Sequence, residues 1–173
     1  MNTFPKIAVL VSPAQHQISG RARHGACDAA ALELACTLAE PQQLTVLCAG
    51  AAGEHDLRAY LGLGVPQVES LAVANEADVV PALLARLRGF DIVVCGSRSD
   101  GQSASGLLPY LLAEGLNMHM VGDVLEAALR GHTLSVRQSL PKGLRRRLEV
   151  SGPVVLAVHA RGPQTRQFAY ARA

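Results

Sequence analysis

Short apolar runs alternate with amphipathic segments along most of the chain. The runs are of strand length and rich in Val, Ile and Leu, as in central parallel strands covered on both faces. They are KIAVLVS (6–12), LTVLCAG (44–50), VPQVESLAV (65–73), FDIVVCG (90–96) and VVLAVHA (154–160). Apolar residues recur at helical spacing in DAAALELACTLAEP (28–41), EHDLRAYLGLG (54–64), NEADVVPALLARLR (75–88) and SASGLLPYLLAEGLN (103–117). Such alternation predicts right-handed βαβ crossovers and an α/β fold with a doubly wound, mostly parallel sheet.

Capping residues and a proline set the predicted helix ends. Asp28 is placed to cap the first helix. Gly64 lies just past the second helix, where a glycine is favoured. Because Pro109 is tolerated only in the first turn of a helix, the last of these helices is predicted to begin near Leu107 or Leu108.

The pattern changes near residues 121–150. Three short runs there, VGDVLEAAL, HTLSVRQSL and LRRRLEV, are separated by turn residues at Gly131 and at 141–143. They predict a small antiparallel excursion before the last parallel strand. The sequence shows no linker, repeat or low-complexity segment, so residues 1–173 are expected to form a single domain.

Composition narrows the classes of function. A chain of 173 residues, 49% apolar and 17% charged, can bury one hydrophobic core. A net charge of +2 and an aromatic content of 3% argue against a nucleic-acid surface, which needs basic patches and stacking rings. The apolar run at 6–11 is too short to span a bilayer, so no membrane insertion is expected. The four cysteines lack CxxC spacing, which favours a reducing cytoplasm.

The loop GSRSDGQSASG, residues 96–106, is the candidate for ligand chemistry. Ligands of parallel sheets bind beyond the carboxyl ends of strands, where helix N-termini favour anions. Glycines would let a ligand approach the backbone, serines could donate hydroxyls, and arginine could bind a phosphate through two nitrogens. The residues concerned are Gly96, Ser97, Arg98, Gly101, Ser103, Ser105 and Gly106. Two interpretations stay open, a phosphate cradle or a solvent-exposed loop that is small and polar as loops generally are.

Other polar groups are assigned no chemistry. His16 and His24 share the loop after the first strand with Arg21 and Arg23, and no carboxylate or cysteine completes a ligand set, so a solvated loop is expected and no metal is predicted. The arginine run 145–147 is interpreted as a solvated face or as protection of an edge strand, with partner docking as the alternative. No Ser, His and acid grouping can be justified, and no catalytic residue is predicted.

Three motifs carry a resemblance to a known family. The matching positions are Asp28, Ala31, Leu32, Glu33 and Ala35 in the first helix, Gly96, Ser105 and Gly106 in the loop, and Gly152, Pro153, Val154 and Val155 near the end. In this order they resemble the N-x-x-D-x-x-A-L-E-x-A, G-[KR]-Q…D…Q-T-G and L-P-A-V-[VL] motifs of the beta subunit of electron transfer flavoprotein, with Ser105 where the family has Thr. The resemblance covers most of the chain and implies a Rossmann-like, adenine-nucleotide alpha-hydrolase-like fold.

The resemblance also implies a function. The chain would bind a structural AMP at the carboxyl end of its sheet and form a heterodimer with an alpha subunit that carries or shares FAD. Electrons would pass from a flavin-dependent dehydrogenase to an acceptor, and this chain would serve as a carrier subunit without catalytic residues of its own. Carried over by position, the AMP-binding residues would be Leu10, Gly25, Ala26, Cys27, Asp28, Ala49, Gly50, Gly96, Ser97, Arg98, Gly101, Gln102, Ser103, Ala104, Ser105 and Gly106.

Other classes of function stay open. The same architecture serves stand-alone adenine-nucleotide-binding proteins of universal-stress-like type, which would bind nucleotide without flavin. The lack of a G-x-x-G-x-x-x-x-x-x-x-x-x-G-[ST] phosphate loop counts against that alternative. A small hydrolase or lyase acting on a nucleotide ranks last, because no acid, base or nucleophile can be nominated.

Overall fold

The computed structural model describes residues 5–16, 18–50, 54–74, 77–100 and 105–172. The strands in these ranges are β1 (Ile7–Leu10), β2 (Ala14–Gln15), β3 (Ala22–Arg23), β4 (Leu44–Ala49), β5 (Glu69–Leu71), β6 (Ile92–Gly96), β7 (His119–Arg130), β8 (Thr133–Ser139), β9 (Arg145–Ser151) and β10 (Val154–Val158). The α-helices are α1 (Ala26–Leu38), α2 (Glu54–Leu61), α3 (Val80–Leu87) and α4 (Leu108–Leu116). None of these helices is long and apolar enough to cross a bilayer.

Eight strands form one sheet in the order β5-β4-β1-β6-β10-β7-β8-β9. Neighbours from β5 to β7 in this order are parallel. The sheet continues beyond β7 in antiparallel fashion, because β8 pairs with β7 and β9 pairs with β8. The mostly parallel α/β sheet and the antiparallel excursion near residues 121–150 are therefore confirmed.

The order of the strands creates a crevice. The chain winds outward from β1 through β4 to β5 and then returns to the other side of β1 at β6. The connections after β1 and β6 consequently leave toward opposite faces of the sheet. At such a switch point the carboxyl ends of the two strands open into a space that ligands can occupy.

Helices cover both faces of the central strands, because alternate strand residues point to opposite sides. On one face, Val9 and Val94 belong to the same buried cluster as Leu34 of α1, which also includes apolar residues of α2. On the other face, Val93 packs in a second cluster with Leu112 of α4 and with apolar residues of α3. This double covering explains why the sequence of these strands is apolar at every position rather than at alternate ones.

Some predicted boundaries shift. α3 begins at Val80 rather than near residue 75, because Pro81 fits only the first turn of a helix. β5 is shorter than the predicted run 65–73, since only Glu69–Leu71 pair with β4. α4 begins at Leu108, as its proline predicts. The loop between β1 and α1, predicted to be solvated, contains the short antiparallel pair of β2 and β3.

The predicted capping role of Asp28 is wrong. α1 begins at Ala26, and the N-cap residue is Gly25, with extended backbone angles (φ −70°, ψ 145°) and no side-chain cap bond. Asp28 lies in the first turn, where its carboxylate accepts a hydrogen bond from the Ser12 N–H. The carboxylate that meets the start of α1 comes from Asp100, in the loop after β6, which accepts the Ala26 N–H at 3.1 Å.

Candidate functional site

A cleft of about 490 Å³ lies at the carboxyl ends of β1, β4 and β6, where the winding of the sheet switches. Its volume falls in the range of small-molecule sites, roughly 300–1,000 Å³. Polar residues from the loops after β1 and β6 form one part of its wall. They include Ser12, Arg98, Ser99 and Ser105, with Asp28 at the start of α1.

The helices on the other face of the sheet supply an apolar part of the wall. Val80 and Leu83 of α3 line the cleft together with Leu108 and Leu111 of α4. Leu107, just before α4, also lines the cleft and is 59% exposed, so this apolar surface reaches the solvent. A wall that is polar on one part and apolar on another suits a ligand with a flat ring and polar substituents.

Asp28 is a buried carboxylate in the wall of this cleft, with 5% of its surface exposed. Its Oδ2 accepts hydrogen bonds from the Ser12 N–H at 2.9 Å and from the Ser12 hydroxyl at 2.6 Å. Burial raises the pKa of Asp28 to about 6, although the hydrogen bonds from Ser12 and from Tyr60 favour the charged form. The carboxyl group therefore titrates close to physiological pH, unlike an ordinary aspartate.

Tyr60 of α2 also contacts the Asp28 carboxylate. Its hydroxyl donates to the Ser12 carbonyl at 2.8 Å, accepts the Gly25 N–H at 3.0 Å and lies 3.3 Å from Asp28 Oδ2. Burial, with the nearby Asp28 carboxylate, raises the pKa of Tyr60 well above its usual range, so the hydroxyl stays protonated. One tyrosine thus connects α2, the end of β1 and the start of α1.

Gly96 at the end of β6 has a clear packing requirement. A Cβ atom there would lie 2.6 Å from Asp28 Oδ1 and 2.7 Å from Cys27 Cβ. The first turn of α1 is therefore the group that approaches this backbone most closely. Gly106, at the other end of the loop, has φ +70°, and a Cβ there would lie 3.0 Å from the Ser97 carbonyl oxygen.

The loop after β6 is also attached to the start of α1. In addition to its bond with the Ala26 N–H, Asp100 Oδ2 lies 3.2 Å from the Arg23 guanidinium, which comes from β3. Two carboxylates, Asp28 and Asp100, thus lie near the first turn of α1, and the charge of Asp100 contributes to the raised pKa of Asp28.

The structure brings part of the predicted set into the cleft wall: Leu10, Asp28, Ala49, Gly96, Arg98, Ser105 and Gly106. Beside the cleft, but not in its wall, lie Gly25, Ala26, Cys27, Gly50 and Ser97. The remaining predicted residues, Gly101, Gln102, Ser103 and Ala104, lie outside the described residues.

Sequence reasoning missed two groups at this site. Ser12 lies just beyond the end of β1, after Val11, and the rule that ligands bind beyond strand ends could have selected it. Tyr60 carries no such signal, because a tyrosine in an amphipathic helix indicates only a partly apolar face. The walls from α3 and α4, including Val80 and Leu108, were predicted as helices but not as parts of the site.

The fold and the cleft define an α/β protein with a small-molecule crevice at the switch point of a mostly parallel sheet. The sequence profile of the electron transfer flavoprotein domain matches residues 21–167. The electron transfer flavoprotein subunit beta of Chromohalobacter salexigens is 36% identical to the chain over 171 residues. This match covers 95% of the present chain, which spans 64% of the length of that relative. The chain therefore belongs to the electron transfer flavoprotein family as a beta-type member, and the resemblance noted from its motifs is confirmed.

Proposed function

We propose that the chain acts in an electron transfer flavoprotein as a beta-type subunit that holds AMP in the cleft at the end of β1 and β6. It would pair with an FAD-carrying alpha subunit, which takes electrons from a flavin-dependent dehydrogenase and passes them to an acceptor. The observation that carries this proposal is the location of the cleft. It lies at the switch point of the sheet, and seven of the positions carried over from the family motifs line it.

The side chains in the cleft wall are of the types that would bind the purine, phosphate and hydroxyl groups of AMP. Leu83, Leu108 and Leu111 offer apolar surface for a purine ring, and Arg98 offers a cation for the phosphate. Ser12 and Ser105 offer hydroxyls for polar contacts. Each of these residues would bind or orient the nucleotide, and none would enter a redox step.

The redox step is assigned to the partner. Bound FAD accepts and donates electrons, and in this proposal no residue of the present chain is assigned to it. The chain would contribute a single domain, residues 1–173, on which the alpha subunit assembles. Its four cysteines, all among the described residues, form no disulfide, as expected of a protein that works in a reducing cytoplasm.

The test is to identify the small molecules that the native protein carries. We would purify the chain alone and coexpressed with an alpha-type subunit from the same source, denature both samples, and analyse what they release by mass and absorbance. AMP with FAD from the coexpressed complex is expected. Variant R98Q in the same complex should release less AMP but unchanged FAD, and variant R88Q, in the turn after α3, is the control.

Other outcomes would reject parts of the proposal. AMP from the chain alone, with no stable complex and no flavin in the coexpressed sample, would favour the stand-alone nucleotide-binding class. Release of no nucleotide from either sample, with no change in melting temperature on adding AMP, would reject AMP binding altogether.

A further inference from the structure

Tyr60 differs from every residue assigned to the cleft so far. It does not line the cleft, and none of its surface is exposed to solvent. Its hydroxyl nevertheless contacts Ser12 and Asp28, which line the polar part of the wall, and Gly25, which lies beside it. A hydrophobic core would accept phenylalanine at this position, so the hydroxyl calls for a separate explanation.

The Tyr60 hydroxyl makes these hydrogen bonds at the same time. The single O–H is shared between the Ser12 carbonyl at 2.8 Å and Asp28 Oδ2 at 3.3 Å, and one lone pair accepts the Gly25 N–H at 3.0 Å. The Gly25 N–H precedes α1 and has no partner inside the helix, so without Tyr60 it would be a buried donor lacking an acceptor. The hydroxyl therefore fixes the relative position of the end of β1 and the start of α1.

We propose that Tyr60 is a positioning residue for the nucleotide cleft, because its hydroxyl holds Ser12 and the first turn of α1 in their binding geometry before the ligand enters. This inference rests on the proposed binding of AMP. Ordering these segments in advance lowers the entropy lost on binding, so the hydroxyl strengthens binding without touching the ligand.

The experiment compares Y60F with Y170F by titration calorimetry of AMP into the full chain. Y60F removes one oxygen and keeps the buried ring. Tyr170 is 87% exposed, its ring contacts Phe168 and it does not line the cleft, so Y170F removes the same oxygen from a residue outside the cleft wall. We expect Y60F to weaken AMP binding about 10-fold and Y170F to leave the dissociation constant unchanged.

A pH series separates positioning from a merely structural role. The groups facing Asp28 are Ser12, Tyr60, the Cys95 thiol of β6 and the Asp100 carboxylate, which is itself paired with Arg23.

The charged form of Asp28 repels an anionic ligand, so AMP affinity should fall as the pH rises through about 6. Because Y60F removes a hydrogen bond that favours this charged form, the fall should move to higher pH. AMP titrates near pH 6 itself, so the comparison is with Y170F in the same buffers.

The outcomes are distinct. If neither the unaltered chain nor its complex with the alpha subunit binds AMP, the proposed function fails and this inference fails with it. If the chain binds AMP but Y60F matches Y170F in affinity and pH profile, only the inference is overturned. Should Y60F not fold, amide hydrogen exchange in the unaltered chain decides. Slow exchange of the Gly25 N–H before AMP is added supports positioning, and fast exchange that slows only with AMP contradicts it.

Discussion

At the scale of single residues, the unusual group is the buried carboxyl of Asp28. An aspartate in contact with a cation has a lowered pKa, and its charge then stabilises the folded state. The hydrogen-bond partners of Asp28 are the neutral groups of Ser12 and Tyr60, and burial dominates, so its pKa is raised instead. The effect of pH on stability is consequently opposite to that of a salt-bridged aspartate.

We expect D28N to remove a pH dependence of stability. The folded state binds a proton at Asp28 up to a pH of about 6, whereas the unfolded chain loses it near 3.8. The folded state thus holds more protons between these values, and the free energy of unfolding of the unaltered chain should fall by about 3 kcal/mol as pH rises through this window. Asparagine keeps an acceptor for Ser12 and does not titrate.

Urea unfolding of both proteins at several pH values between 4 and 7 would measure this effect. Subtracting the two profiles cancels the other titrating groups. A difference that stays constant with pH, or that changes with the opposite sign, would contradict the prediction.

At the scale of elements, the contact between α1 and the end of β6 decides the shape of the site. Gly96 lets Cys27 and Asp28 lie directly against the strand. The sequence predicts that Gly96 leaves space for a ligand to approach the backbone. The structure shows that the packing of α1 against β6 also requires glycine here, because a Cβ atom at this position would overlap the first turn of the helix.

We expect G96A to destabilise the protein by about 1–3 kcal/mol, because the new Cβ atom would overlap the first turn of α1. Gly122 of β7 is a matched control. A Cβ there would lie 3.4 Å from the Tyr110 hydroxyl oxygen, which is an ordinary contact, so G122A should be close to neutral. Thermal unfolding of both variants tests this, and equal melting temperatures would show that α1 can shift without loss.

The segment after β10 is attached to α1 by an ion pair. Arg166 Nε lies 2.7 Å from Glu33 Oε1, with Arg166 38% and Glu33 10% exposed. R166Q would leave this largely buried carboxylate without its cation, and we expect a loss of about 1–3 kcal/mol.

The exposed pair of Arg86 and Glu69 provides the comparison. These side chains are 37% and 39% exposed, and R86Q should change stability by less than about 1 kcal/mol. Guanidinium is unsuitable as denaturant because it screens ion pairs, so urea unfolding is the measurement. Equal losses in the two variants would show that burial of Glu33 is energetically unimportant.

At the scale of the whole molecule, a ligand that binds only the folded state must stabilise it. If AMP occupies the cleft, a concentration about 100 times its dissociation constant should raise the free energy of unfolding by about 2.7 kcal/mol. Inorganic phosphate at equal ionic strength is the control, since it offers the anion without the purine. Equal stabilisation by both would indicate a general anion effect rather than a nucleotide site.

Much of the fold could be predicted because its signals are local. The apolar runs at 6–12 and 90–96 mark strands buried on both faces, and Pro109 marks where α4 begins. The chemistry of Asp28 was not predictable in the same way. Its sequence neighbours indicate a helix start, and its role as a buried acceptor depends on Ser12, 16 residues earlier in the chain.

The sequence by itself determined the order of strands and helices, the parallel character of the sheet and the loop that follows β6, because hydrophobic period and turn chemistry act over a few residues. Only the tertiary structure decided which groups meet at the cleft. Tyr60 and Ser12 are 48 residues apart, and Asp100 and Ala26 are 74 apart. Such pairs are selected by the packing of whole elements, and no local pattern encodes which distant side chain will form a hydrogen bond with a given backbone group.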